Sequence, residues 1–232
     1  MSMQKAPDAK VQIIKNGPYM VTGGLPLKKQ TIGTNSAGES VKWIEGQSYP
    51  AQATYALCRC GQSAKKPFCD GSHAKVGFDG TETASRETYQ KQAEVTQGPT
   101  LSLADVKQLC AFARFCDPNG QVWNLVTETD NPSAKRYFVR QVGECPSGRL
   151  VAWDNSTGKS IEPKYDSSIG LTEDPANQCA GPVWLRGGVQ VIGSDGFHYE
   201  VRDRVTLCRC GASQNKPFCD GTHASIKFKG ES

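Results

Sequence analysis

Residues 58–74 read CRCGQSAKKPFCDGSHA and residues 208–224 read CRCGASQNKPFCDGTHA. Thirteen of the seventeen positions are identical, and one of the other four is Ser72 against Thr222. Chance does not give such a match, so the chain holds a duplicated unit and its fold must accommodate two copies of one local structure. The similarity extends upstream, where Gly17-Pro18-Tyr19-Met20-Val21-Thr22-Gly23-Gly24 resembles Gly181-Pro182-Val183-Trp184-Leu185-Arg186-Gly187-Gly188. Each copy therefore opens on a Gly-Pro turn and a short strand. A further strand, Tyr55 to Leu57 or Val205 to Leu207, leads into Cys-x-Cys. Gly17 to Cys58 is 41 positions and Gly181 to Cys208 is 27, so copy one carries about fourteen extra residues, expected as a loop near 28–52.

Each copy supplies Cys-x-Cys, eight residues, Cys, three residues, His: Cys58, Cys60, Cys69 and His73, then Cys208, Cys210, Cys219 and His223. Four soft or borderline ligands within sixteen residues can close around one small metal centre. On an extended segment a Cys-x-Cys pair presents both sulfurs on one side, because side chains alternate with period two. Asp70 and Asp220 sit where a helix N-cap would be, so the histidine one turn later can point back at the centre. Three cysteines and a histidine are also an ordinary tetrahedral zinc set, and ligand identity alone does not choose between zinc and iron. Zinc modules, however, usually repeat Cys-x₂₋₄-Cys knuckles, which are absent here.

The string Cys-Asp-Gly-(Ser/Thr)-His resembles the CDGSH iron–sulfur domain family. Its pattern, Cys-x-Cys-x₂-(Ser/Thr)-x₃-Pro-x-Cys-Asp-Gly-(Ser/Thr/Ala)-His, is met twice, with Ser63 and Pro67, and Ser213 and Pro217, at the non-ligand positions. The resemblance covers about residues 12–78 and 181–228. It implies two 2Fe–2S clusters, one per motif, with the Cys-x-Cys pair on one iron and the third cysteine plus histidine on the other. It also implies an intrachain pseudo-dimer of two β-rich units, built in this family from two motifs.

Between the copies the chain changes character. Asp79 to Thr100 is polar and without periodicity, and reads as a linker over 79–100. In the central segment, 101–179, Ser102-x-x-Asp105 is a capping-box signature, and Leu103, Val106, Leu109, Cys110 and Ala113 fall at helical spacing. Asn131-Pro132 predicts the cap and first turn of a second helix to about Val142, and Arg149 to Trp153 a strand. Cys110-x₅-Cys116 with Cys145-Pro146-Ser147-Gly148 resembles the single-cluster bacterial ferredoxins, in which proline follows the last cysteine. That resemblance implies a third cluster, 3Fe–4S or 4Fe–4S, on Cys110, Cys116 and Cys145, with Cys179 as a candidate fourth ligand. The competing explanation is buried reduced thiols, since free cysteine is among the most buried residue types.

The expected fold class is thus α+β and β-rich. First and second cluster units at 12–78 and 180–230 flank an inserted small ferredoxin-like segment. Net charge is only +4, with basic and acidic residues interspersed, which argues against nucleic acid as a partner. No apolar run reaches the length of a membrane span, and no signal or transit pattern opens the chain, so the expected address is cytoplasmic, with thiols kept reduced. No Gly-x-Gly pair exists to seed a dinucleotide fingerprint, and His198 is expected as an ordinary strand residue. The expected role is an electron or iron–sulfur cluster carrier rather than an enzyme, serving a redox partner or an apo-acceptor protein. The alternatives are a zinc-stabilised interaction module and the electron-transfer subunit of an oxidoreductase. Lys65, Lys66 and Lys216 lie in the cluster loops, either to offset an anionic centre or as a solvated face.

Overall fold

The computed structural model describes residues 9–230. Strands β1 (Lys10–Ile13), β2 (Tyr19–Thr22), β3 (Leu27–Thr34), β4 (Ser40–Ser48) and β5 (Thr54–Leu57) lead to the first Cys-x-Cys, and the single turn α1 (Ser72–Lys75) follows it. The middle of the chain forms α2 (Tyr89–Gln92), β6 (Glu94–Gln97), β7 (Leu101–Asp105), α3 (Val122–Leu125), α4 (Pro132–Gly143), β8 (Leu150–Asp154) and β9 (Lys159–Ile161). Strands β10 (Ser168–Asp174), β11 (Cys179–Arg186), β12 (Gln190–Ile192) and β13 (Arg204–Leu207), with α5 (Thr222–Ser225), complete the second half. The described residues form a β-rich α+β fold of three sheets.

The two copies share one strand plan and exchange one strand. Tyr19 pairs with Leu57 and Val21 with Tyr55 across β2 and β5; Val183 pairs with Leu207 and Leu185 with Val205 across β11 and β13. Before them, β1 runs antiparallel to β2, as β10 does to β11. The strand after the Gly-Gly turn crosses over. Copy two's β12 lies parallel to β1, and copy one's β3 lies parallel to β10. The sheets therefore read β12-β1-β2-β5 and β13-β11-β10-β3-β4, each containing a strand of the other copy. Tyr19, Val21, Leu57, Ile169, Leu171 and Leu207, all buried, meet in one core shared by both.

The extra residues of copy one are not a loop. They lengthen β3 and add β4, which pair as a hairpin. Its turn is closed by Asn35, whose Oδ1 accepts from the N–H groups of Ala37 and Glu39 at 3.0 and 2.9 Å, with Gly38 at φ 80°. Trp43 on β4 packs between Phe115 and Trp184, with ring centroids 4.9 and 4.8 Å away. The hairpin thus clasps the middle of the chain to copy two.

The helix expected from Ser102 onward is also corrected. Leu101–Asp105 is a strand, paired on both sides by β6 and β8. Leu101 and Leu103 face one core with Val126, Phe138 and Leu150, while Ala104 and Val106 face the shared core. Period-two burial on both faces overrides the helical spacing. Asp105 is no capping residue. It takes a bidentate pair from Arg149 at 2.6 and 2.8 Å and accepts from Trp123 Nε1 at 3.1 Å. The helix expected after Asn131 forms as α4, with Asn131 Oδ1 accepting from Ser133 N and Ala134 N.

Two boundaries differ from expectation as well. The stretch 79–100 carries α2 and β6, and the buried Tyr89 donates its hydroxyl to the carbonyls of Ala104 and Arg149. Strand β10 and Cys179 belong to the second cluster unit's sheet rather than to the central segment. His198, expected in a strand, is an exposed residue making a lone bridge to Ile192. Among the described residues no helix is long and apolar enough to cross a membrane.

Candidate metal centres

In each copy the strand before Cys-x-Cys ends where the cysteine loop folds back on it. Cys58 N donates to Pro67 O and Cys69 N to Ala56 O, at 2.8 and 2.9 Å; Cys208 N donates to Pro217 O and Cys219 N to Thr206 O at the same distances. The motif's other positions hold this loop in shape. Ser63 and Ser213 donate to the carbonyls of Phe68 and Phe218, and accept from the backbone of residues 65 and 215. Lys66 and Lys216 spend their ammonium groups on the carbonyls of Ser63 and Ser213, at 2.7 and 2.8 Å, so both are structural struts.

Asp70 and Asp220 reach in two directions. One oxygen accepts from Ala64 N or Gln214 N at 2.8 Å, the other from Ser72 N or Thr222 N at 3.0 Å. The N-cap residue itself is glycine, Gly71 or Gly221, at φ 88° and 89°, a left-handed conformation that only glycine adopts without strain. The hydrogen bonds accepted by Asp70, chiefly from Ser72, hold its carboxyl well below the usual range. This turn starts the single helical turn that carries His73 or His223 back toward the cysteines.

The donors come together as two pairs per copy. Cys58 and Cys60 lie with Sγ atoms 3.8 Å apart, and Cys69 Sγ lies 3.3 Å from His73 Nδ1. In the second copy the distances are 3.8 Å between Cys208 and Cys210 and 3.4 Å between Cys219 and His223 Nδ1. Among the described residues no three His, Cys, Asp or Glu side chains converge on one metal-ion position. All ten cysteines are free of disulfides. The thiols are held protonated where burial dominates. Burial raises Cys60 to about 11 and Cys219 well above its ordinary value. Within the Cys208–Cys210 pair the shared hydrogen bond lowers Cys208, and with burial it raises Cys210. Burial likewise lowers His223 to about 4, so its imidazole is neutral at pH 7 and able to ligate.

Arg59 and Arg209, inside each Cys-x-Cys, were not singled out from the sequence. Period-two alternation sends them away from the sulfurs, and both are buried. Arg59 donates to Gly80 O beneath the rings of Tyr19 and Phe78; Arg209 donates to Gly230 O, pairs with Glu173 at 3.0 Å and lies against Phe228. The signal was available, because Arg59 and Arg209 occupy one repeat position and Phe78-x-Gly80 matches Phe228-x-Gly230. These buried cations tie the chain beyond each motif to its cluster loop.

The two loops also touch one another. A Cβ on Gly61 would stand 2.4 Å from Cys210 O, and one on Gly211 would stand 2.5 Å from Cys60 O. The contact is reciprocal, as in a two-fold interface. Tyr19 adds a cross-copy bond, donating to the carbonyls of Cys208 and Pro217.

Of the central cysteines, Cys110, Cys116 and Cys145 are half-buried and close enough for the Cys116 thiol to be raised by the charges of the other two, after burial and Asp117. Cys179 stands at the start of β11, paired with Asp174 of β10. Arg204, at the start of β13, braces this region. Its fully buried guanidinium donates to the carbonyls of Val142, Gly143, Cys145 and Leu150 and pairs with Glu162 at 2.6 Å.

Comparison with known families agrees with this geometry. Residues 16–74 and 180–224 both match the family described as iron-binding zinc finger, CDGSH type, and residues 96–155 match the family described as divergent 4Fe-4S mono-cluster. No curated protein and no solved structure matches the chain. The chain thus carries two segments that match the CDGSH-type model with a match to the divergent 4Fe-4S mono-cluster model between them, and it is an iron–sulfur-binding protein.

Proposed function

We propose that each repeated loop holds one 2Fe–2S cluster and that the protein carries electrons or clusters rather than catalysing a reaction. Cys58 and Cys60, or Cys208 and Cys210, would hold one iron; Cys69 with His73, or Cys219 with His223, would hold the other. The observation that carries this reading is the two-plus-two arrangement of donors, with no three of them converging on a single ion. A mononuclear zinc needs four ligands around one point, whereas a binuclear cluster takes two at each end. The exchanged strands and the reciprocal Gly61 and Gly211 contacts support an intrachain pseudo-dimer.

When bound, the cluster supplies a one-electron couple. The chain's part is to set its charge. A neutral imidazole in place of a thiolate removes one negative charge, which favours reduction; one histidine should raise the potential less than the two of a Rieske centre do. Nδ1 faces the neighbouring sulfur in both copies, so it is the atom that would ligate and the atom at which a proton would compete with the metal. Cys110, Cys116 and Cys145 would hold a third cluster, 3Fe–4S or 4Fe–4S. The partner would be a redox protein or an apo-acceptor.

Iron and acid-labile sulfide per chain, with the visible spectrum, test the reading. About four irons mark two 2Fe–2S clusters, and about seven or eight add the central one. A colourless protein holding only zinc would replace it with the interaction-module reading.

A further inference from the structure

The two motifs are nearly identical in sequence but not in surroundings. Cys69 and His73 are half-buried, whereas Cys219 is 3% and His223 4% exposed. The difference comes from outside the repeat. A Cβ on Gly71 would meet nothing within 4 Å, while one on Gly221 would stand 3.2 Å from Cys110 O and 3.4 Å from Phe112 Cβ. Asn215 Nδ2 donates to Gln108 O at 2.9 Å; the corresponding residue of copy one, Lys65, is exposed. Arg114 then pairs with Asp174, at 2.5 and 3.3 Å, at the end of β10, whose neighbour β11 packs against the turn that carries His223. Residues 108–114 of the central segment thus lie across the second loop, and among the described residues no equivalent segment lies across the first.

We infer that the two sites divide the work. The Cys69–His73 face of the first site is where the protein meets an external electron or cluster partner. The second site is an inner one, sealed by residues 108–114 and adjoining the central cysteines through Cys110. This rests on the reading that both loops hold clusters. The positions at which the copies diverge fit the division, since Asn215 docks the cover where Lys65 faces solvent. Exchange at the second site must first lift that cover, and local opening of this kind sets the rate at which a buried group is reached.

The test uses the cluster-loaded full chain at a fixed neutral pH. EDTA is added together with iodoacetamide, samples are quenched over time, and alkylation is read peptide by peptide by mass spectrometry. Cys69 should be alkylated roughly tenfold or more faster than Cys219. An Arg114→Ala, Asn215→Ala double variant, which removes the two side-chain contacts that pin the cover, should accelerate Cys219 and leave the Cys69 rate unchanged. Equal rates, Cys219 reacting first, or a variant that speeds both sites alike would overturn the division. Should that variant fail to fold, the wild-type ratio alone decides. A protein colourless before EDTA, with both cysteines labelled from the start, defeats the cluster reading and takes the inference with it. Coloured protein with equal rates defeats the inference only.

Discussion

Replacing Gly61 by alanine should damage a metal site in the opposite copy. Two costs combine. Gly61 sits at φ 75°, where a side chain costs about 1–2 kcal/mol. Its new Cβ would also stand 2.4 Å from Cys210 O, closer than the 3.0 Å that real Cβ atoms observe, so the loops must separate by roughly 0.6 Å. Overpacking of this kind costs typically about 1–3 kcal/mol. Gly71→Ala separates the two costs, because its φ is 88° but nothing lies within 4 Å of its Cβ. The difference between the variants therefore isolates the contact. We expect Gly61→Ala to lose about 2–5 kcal/mol in all and Gly71→Ala about 1–2 kcal/mol. The assay is urea unfolding of the loaded chain, followed by visible absorbance and circular dichroism, with Cys210 and Cys60 alkylation mapped separately. The decisive result is Cys210, since a clash against its carbonyl should speed its exposure although the substitution lies in the other motif. If Gly61→Ala matches Gly71→Ala in stability and leaves Cys210 untouched, the two loops do not bear on each other as described.

Other outcomes follow from single residues. His73→Cys and His223→Cys should each make one cluster more resistant to acid, seen as slower bleaching on a drop from neutral to mildly acidic pH, because a thiolate replaces the protonatable ligand. In the cluster-free chain, His223 binds its proton more weakly folded than unfolded, so its contribution to stability is complete above about pH 6.5 and is lost as pH falls toward about 4. That contribution is on the order of 3 kcal/mol, and it should vanish from the unfolding curves of a His223→Asn variant. Arg204→Met leaves Glu162 without its cation and takes one donor away from each of four carbonyls, and should cost about 3–5 kcal/mol in urea unfolding. A loss below about 1 kcal/mol would mean that water replaces the guanidinium.

The candidate donors were legible because their chemistry is local. Cysteine and histidine spacing within sixteen residues is written in one stretch of chain, and the Asn131-Pro132 start of α4 is equally local. What was not legible depends on partners far away in sequence. Leu101 to Asp105 carries a helix-like pattern that only the flanking strands β6 and β8 override. The hairpin β3–β4 had turn chemistry at Asn35 and Gly38, but its pairing with β10 joins residues some 140 apart. Arg59 and Arg209 were hidden differently. An arginine flanked by metal ligands suggests a charge near solvent, and only the folded chain brings Gly80 and Gly230 around to receive it.

The crossing of β3 and β12 has a consequence for anyone dividing this protein into parts. Cut between the motifs, neither fragment retains the full set of backbone partners for its own first strand, because β1 relies on a strand encoded some 180 residues later and β10 on one encoded some 140 earlier. Each fragment would expose an open parallel edge, and its natural remedy is a second molecule of the same fragment. A half-length product should therefore be recovered paired or not at all.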